Sequence, residues 1–130
     1  SEILGMYSPR RVVVEELSQD AKSFITSGGV IRSIYQLGDN REDNLELVKA
    51  CELFEAGGEE VRLADFKLPN ITIFDKEFVF LNLSADKNVP KHKQADLIIQ
   101  NTDHAGHMRD LFDHYWNESL TISEFRKKNI

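Results

Sequence analysis

Short runs of β-branched and aromatic residues alternate with helical apolar stripes along the first half of the chain. Three runs have the composition of strands: residues 2–6, 30–36 and 60–64. Two stripes with apolar positions every three or four residues predict helices: one that starts at Ser8-Pro9, and one over residues 44–56. Gly28-Gly29 and Gly57-Gly58 end these stripes. The pattern therefore predicts strand, helix, strand, helix, strand.

The apolar pattern changes after residue 64. Residues 71–74 and 78–83 are apolar strands separated only by Asp75-Lys76-Glu77, which predicts an antiparallel hairpin. A polar loop over residues 84–94 and a last strand over residues 96–100 follow. A closing helix is predicted from Thr102 or Asp103. One face of it carries an apolar stripe that indicates a core face or a dimer face: Met108, Leu111, Phe112, Tyr115, Trp116 and Leu120.

These elements predict an α/β fold with a mixed sheet. Strands separated by helices are joined by right-handed crossovers and lie parallel, whereas the hairpin is antiparallel. With 130 residues, 41% hydrophobic and 29% charged, the chain has the size and composition of one globular domain. We expect residues 1–130 to form a single domain with a β-α-β-α-β start, an antiparallel hairpin and a closing C-terminal helix.

Charge and composition exclude several classes of function. The formal net charge of −6 repels phosphate backbones, so we expect this domain not to bind DNA or RNA by itself. No apolar run approaches the roughly 18 to 20 residues of a membrane-spanning helix. The single cysteine, Cys51, lies on an apolar helix stripe and predicts a buried thiol in a cytoplasmic protein. The absence of paired cysteines and of a phosphate-binding glycine loop predicts no cofactor.

The hairpin segment, residues 68–84, resembles the catalytic motif of the phospholipase D superfamily. In that motif a strand carrying His-x-Lys-x-x-x-x-Asp turns into a second apolar strand that ends in a small polar residue. Aligning Asp75 with the motif aspartate places Asn70 at the lysine position and Leu68 at the histidine position. The family's chemistry needs an imidazole nucleophile and a cation that neutralises the phosphate. The resemblance therefore implies a phospholipase D-like half without catalytic residues, and not an enzyme.

A second resemblance spans nearly the whole chain. Residues 28–35, residues 57–63 running on to 68–69, and residues 111–116, in order with the hairpin, resemble the phospholipase D-like effector domain of TrmB-type sugar-sensing transcription regulators. In that family the domain binds small ligands and oligomerises, and it reports to a helix-turn-helix domain elsewhere in the polypeptide. The resemblance implies a ligand-sensing or dimerising regulatory domain that acts on DNA only through a part absent from this sequence. Because the sequence starts at Ser1 and not at Met, we expect it to be a fragment of a longer regulator.

Polar residues at or after strand ends are the candidate ligand contacts. Open α/β sheets bind ligands beyond the carboxyl ends of their strands, and hydroxyl, amide and carboxylate groups suit a sugar or another small polar metabolite. Two arginines inside apolar strands join them, because a guanidinium there needs a carboxylate, a carbonyl or a ligand. The candidates are Arg32, Tyr35, Arg62, Asp65, Asn70, Asn82 and Ser84. For the arginines, an internal ion pair with Asp65 or Asp75 is the alternative, or an extended position at the sheet edge.

Two other functions compete with ligand sensing. The first is homodimerisation without a ligand, through an aromatic face formed by Phe112, Tyr115, Trp116 and Phe125. The second is a metal-dependent hydrolase, because four residues with metal-ligand spacing share one helix face: Asp103, His107, Asp110 and His114. A solvated surface opposite the aromatic stripe explains the same four residues. We therefore predict no metal site.

Overall fold

The computed structural model describes residues 2–8, 19–82 and 96–128, apart from the side chains of Asn82 and Asp96. Its elements, in chain order, are β1 (Glu2–Tyr7), α1 (Gln19–Thr26), β2 (Val30–Gln36), α2 (Arg41–Ala56), β3 (Glu60–Ala64), β4 (Ile71–Phe74), β5 (Phe78–Asn82), β6 (Asp96–Gln100), α3 (Thr102–Glu118) and α4 (Ile122–Lys128). The predicted strands are confirmed. The predicted start of the first helix and the predicted loop of residues 84–94 lie outside the described residues.

The strands form one six-stranded mixed sheet in the order β3-β2-β1-β4-β5-β6. β1 and β2 are parallel, as are β2 and β3. From β1 through β4 and β5 to β6, each neighbouring pair is antiparallel. The predicted α/β class, the parallel first half and the antiparallel hairpin are therefore confirmed.

Two hydrophobic cores cover opposite faces of the sheet. In β2, Tyr35 belongs to the first core and its neighbour Ile34 to the second, and successive residues of a strand point to opposite faces. The first core joins β2 and β3 to buried residues of α2 and α4, and includes the fully buried Cys51. The second joins β1, β4 and β5 to α3 through Phe112. None of the described helices is long and apolar enough to cross a membrane.

Helix α2 begins three residues before its predicted start. Asn40 caps it by accepting a hydrogen bond from the Asp43 N–H at 3.1 Å. Glu42 and Asp43 then stand in the first turn, where negative charge favours the helix N-terminus. At the other end Gly58 has a φ of 106°, a left-handed conformation that favours glycine. The glycine stop is confirmed, and the Asn40 cap accounts for the earlier start of the helix.

The prediction that the closing helix includes Leu120 is wrong. Helix α3 ends at Glu118, and Leu120 forms an antiparallel bridge with Leu63 through N···O distances of 2.7 and 2.8 Å. Thr121 and Glu124 then cap α4 by bonding each other's backbone N–H groups at 3.0 and 3.1 Å. Two hydrogen bonds lower the pKa of Glu124. The larger effect comes from the backbone N–H of Thr121, and the second from the side chain of Thr121.

The aromatic stripe of α3 faces the second core. Phe112 is 1% exposed, and Met108, Tyr115 and Trp116 pack partly buried against the same core. Phe125 of α4 is buried in the first core. The interpretation of the stripe as a core face is confirmed. Phe112 and Phe125 are buried, so they are not available to the aromatic dimer face that is the alternative, whereas Tyr115 and Trp116 are partly exposed.

Candidate functional site

The histidine position of the motif is filled by a core side chain. Leu68 is 6% exposed and packs in the second core with Ile71 and Ile73 of β4. Its backbone N–H donates to the side-chain oxygen Oε1 of Gln36 at 2.7 Å. Leu68 is therefore fixed from both its side chain and its backbone.

The lysine position of the motif serves as a tether between strands. The side-chain oxygen Oδ1 of Asn70 accepts a hydrogen bond from the Ser8 N–H at 2.8 Å. Met6 stands opposite Ile71 in the antiparallel β1–β4 pair, so Asn70 lies beside the residues that follow β1. A lysine has no acceptor and could not hold this N–H.

Asp75 holds the other end of β1. Its carboxylate oxygen Oδ1 accepts from the Glu2 N–H at 2.7 Å, and its own N–H donates to the Glu2 carbonyl at 2.8 Å. Asp75 and Lys76 both have positive φ, at 50° and 61°, and Glu77 N–H closes the turn onto the Phe74 carbonyl at 3.0 Å. Aspartate tolerates this left-handed conformation better than most residues.

The three motif positions therefore stabilise the same part of the fold, which is β1 and the segment that leads into β4. Asn70 binds the chain just after β1 and Asp75 binds its first residue, while Leu68 anchors the segment that leads into β4. An ion pair between Glu2 and Arg109 of α3 adds a further hold on the first residue of β1. Strand β1 lies inside the sheet, between β2 and β4, so these contacts fix the centre of the fold.

Arg32 forms an internal ion pair, which is the alternative given for the strand arginines, but its partner is Glu60 and not Asp65 or Asp75. The two side chains stand opposite each other in the parallel β2–β3 register, and the Nε–Oε2 distance is 2.9 Å. The hydrogen bond with Glu60 raises the pKa of the Arg32 guanidinium. Both side chains are more than one third exposed, so the pair contributes at most about 1 kcal/mol to stability.

Arg62 binds the C-terminal end of α3 through a backbone carbonyl. Its Nη1 donates to the Trp116 carbonyl at 2.7 Å, and its Cζ lies 4.5 Å from the centroid of the Trp116 ring. A cation near the last carbonyls of a helix is favoured by the helix dipole, and the ring adds a cation–π contact. Arg62 therefore contacts Trp116, and not Asp65 or Asp75 as the alternative suggests.

Tyr35 is a core residue. It is 5% exposed, and its ring centroid lies 5.1 Å from that of Tyr7 and 6.0 Å from that of Phe54. Strand alternation puts it on the sheet face opposite Arg32 and Arg62. These three candidates therefore do not line one site.

Asp65 and Asn70 are the candidates left at the carboxyl edge of the parallel strands. Asp65 directly follows β3 and is exposed, and Asn70 lies beside the end of β1. Because β2 and β1 separate β3 from β4, the two positions stand about 14 Å apart on a spacing of about 4.8 Å per strand. The side chain of Asn82 and the whole of Ser84 lie outside the described residues.

Ser33 and Glu59 form a buried polar pair that the sequence pattern does not predict. Ser33 is 1% exposed and Glu59 6% exposed, and the Ser33 hydroxyl donates to the Glu59 carboxylate. A serine at an inward position of an apolar strand was the available signal, because buried polar groups require partners. The residue that would meet it depends on the β2–β3 register, which the sequence pattern does not give.

The four residues with metal-ligand spacing on α3, Asp103, His107, Asp110 and His114, are all exposed. Within residues 2–8, 19–82 and 96–128, no group of three or more histidine, cysteine, aspartate and glutamate side chains is arranged to hold a metal ion. These four residues form the outer surface of the helix, opposite the stripe that contacts the sheet.

The arrangement of strands and helices has the fold of phospholipase D-type proteins. Nuc from Salmonella typhimurium, a phospholipase D family member, matches with a TM-score of 0.63 at 13% identity, over 93% of this chain and 81% of Nuc. NucT from Helicobacter pylori matches with a TM-score of 0.58 at 14% identity, over 92% of this chain and 81% of NucT. The predicted phospholipase D-like fold is confirmed.

The same fold occurs in a DNA-associated archaeal protein. TrmBL2, an archaeal chromatin protein, matches with a TM-score of 0.61 at 20% identity, over 92% of this chain. The match covers 45% of TrmBL2, so the chain spans less than half of that protein's length. This structural likeness agrees with the predicted resemblance to TrmB-type regulators. No protein-family model matches the sequence, and no curated protein matches it.

Proposed function

We propose that this chain is a non-catalytic, phospholipase D-fold regulatory module of a transcription regulator. The observation that carries this proposal is the use of the motif positions: Leu68 is a core side chain, and Asn70 and Asp75 fasten the two ends of β1. The histidines of the described residues, His104, His107 and His114, lie on α3 and not on the hairpin. Phosphodiester transfer in this fold family needs an imidazole nucleophile and a cation at the two positions that Leu68 and Asn70 fill.

A regulator context is supported by the fold that the chain shares with TrmBL2, whose structure is described as showing a novel mode of DNA binding. The net charge of −6 disfavours contact between this domain and DNA phosphates. We therefore assign DNA contact to another part of a longer protein, and ligand binding or assembly to this part.

The purified chain should not hydrolyse bis(p-nitrophenyl) phosphate at any pH from 5 to 9. Release of nitrophenolate is the measurement, with an active phospholipase D-type nuclease as the positive control. Turnover that is lost on replacing Asp75 with asparagine would overturn the proposal, because it would show a working motif. Turnover that persists in this variant would point to a contaminating enzyme and would be removed by further purification.

A small polar metabolite is the ligand class that the carboxyl edge of the sheet would accept. Asp65 offers an exposed carboxylate there, and hydroxyl-rich ligands are bound by such groups. A ligand at 100 times its Kd raises the free energy of unfolding by about 2.7 kcal/mol, so Tm should rise in the presence of one class among sugars, nucleotides and organic acids. The rise should be absent in Asp65→Ala and retained in Asp110→Ala, an exposed aspartate of α3 that does not follow a parallel strand. A rise that survives Asp65→Ala would place the ligand elsewhere.

Assembly without a ligand is the second candidate function. It is favoured by the exposure of Leu97 and Ile98 in β6, at 46% and 64% of their maximum. Large apolar side chains that are exposed on both faces of one strand favour contact with another protein surface.

A further inference from the structure

Strand β6 is an edge of the sheet as far as the described residues define it. The strand order begins with β3 and ends with β6, whose neighbour on one side is β5. Leu97 and Ile98 are successive residues and therefore project from opposite faces of this edge. The backbone groups of β6 on the side away from β5 are thus bordered by apolar side chains on both faces.

The β6 sequence contains no lysine or proline and one charged residue, Asp96, so few of the features that protect an edge strand are present. Such strands carry lysine, proline or a bulge that prevents pairing with another chain. β6 reads Asp-Leu-Ile-Ile-Gln, and its register with β5 runs without interruption from Phe78 opposite Gln100 to Asn82 opposite Asp96. An apolar edge without a bulge favours the addition of a further strand.

The sheet face next to this edge continues the apolar surface. Ile98 stands opposite Phe80 of β5, and Phe74 stands opposite Phe78 across the hairpin. Strand alternation puts these four side chains on the face opposite α3, because Ile73 and Val79 belong to the core that α3 covers. Phe74 is 37% exposed, and none of the four belongs to either core of the described residues.

We propose that β6 pairs antiparallel with β6 of a second copy of this chain, about a two-fold axis at Ile98. This inference deepens the assembly function proposed above and rests on it. In this register Ile98 meets its own counterpart, Leu97 meets Ile99 of the second copy, and Asp96 meets Gln100. Like charges are not set opposite each other, so the strand is its own complement, as an isologous two-fold contact requires.

The two-fold register also makes the exposed face continuous. A row of apolar side chains then crosses the junction in the order Phe80, Ile98, Ile98 of the second copy and Phe80 of the second copy. Directly opposed aromatic and β-branched pairs are among the favourable cross-strand contacts. β6 carries one acidic residue and no basic one, so its edge offers little charge for a strongly acidic or basic partner to bind. A second copy of this mostly apolar strand is therefore the better fit.

The test is sedimentation equilibrium over a range of protein concentrations for the wild type and two lysine variants. Ile98→Lys sets two ammonium groups against each other on the axis, so the dimer Kd should rise by about tenfold or more. Val30→Lys is the matched control: Val30 is also an exposed apolar strand residue, at 37%, but it opens the inner strand β2. Its Kd should stay at the wild-type value, and circular dichroism checks that both variants are folded.

Amide hydrogen exchange supplies a second readout that does not depend on a variant. The β6 amides that point away from β5 should exchange more slowly as the protein concentration rises past the dimer Kd. A dimer that is unchanged in Ile98→Lys, or β6 amides insensitive to concentration, would overturn this surface while leaving assembly through another one. A monomer at all concentrations would overturn both this inference and the assembly function.

Discussion

Replacing Leu68 with histidine, the residue that the catalytic motif requires, should lower the free energy of unfolding by about 2 to 5 kcal/mol and create no activity. Leu68 is 6% exposed and packed in the second core, so an imidazole there would lose apolar contacts and bury polar nitrogens. Urea denaturation followed by circular dichroism measures the loss. A decrease of this size is a large part of the roughly 5 to 15 kcal/mol that typically stabilises a domain.

Lys67→His is the matched control for this experiment. Lys67 is the preceding residue and is exposed, so the same imidazole there should change the free energy of unfolding by no more than about 0.5 kcal/mol. The double variant Leu68→His, Asn70→Lys restores both motif residues and should also fail to hydrolyse a phosphodiester. The imidazole at position 68 is buried in the second core, and the lysine leaves the Ser8 N–H without its acceptor. A stable and active double variant would mean that the fold still contains a working site.

The strands were predictable because each is a short apolar run next to glycine or a polar turn. Val30–Gln36 and Glu60–Ala64 match their predicted bounds, and these runs follow glycine pairs that stop the helices before them. The parallel order of β1, β2 and β3 followed from the helices between them. Local sequence therefore carried most of the information on the type and order of the elements.

The partners of the two strand arginines were not predictable for different reasons. Arg32 stands opposite Glu60 because of the β2–β3 register. A hydrophobic pattern indicates which face of the sheet a residue lies on, but not which residue of the neighbouring strand stands opposite it. Arg62 donates to a backbone carbonyl. Because every residue has a backbone carbonyl, the sequence does not indicate which one an arginine will bind. The candidate ligand contacts on β2 and β3 therefore lie on both faces of the sheet, with Tyr35 on one face and Arg32 and Arg62 on the other.

Helix boundaries depended on caps that the sequence did contain. Asn40 caps α2 and Thr121-x-x-Glu124 caps α4, and both are common capping patterns. The stripe from Met108 to Leu120 appeared continuous because Leu120 is apolar at helical spacing. Its actual contact is the bridge to Leu63, a tertiary interaction that overrides the local pattern.

Replacing Phe112 with alanine should lower the free energy of unfolding by about 3 to 5 kcal/mol, which distinguishes a core role from a dimer face. Phe112 is 1% exposed and its ring centroid lies 5.6 Å from that of Trp116, so its removal leaves a cavity between α3 and the sheet. An aromatic dimer face would instead give an unchanged monomer stability and a weaker dimer. His114→Ala, at an exposed position two residues along the same helix, should change stability by no more than about 0.5 kcal/mol. Denaturation at a concentration below the dimer Kd separates the two effects, and a Phe112→Ala monomer as stable as the wild type would contradict the assignment of α3 to the second core.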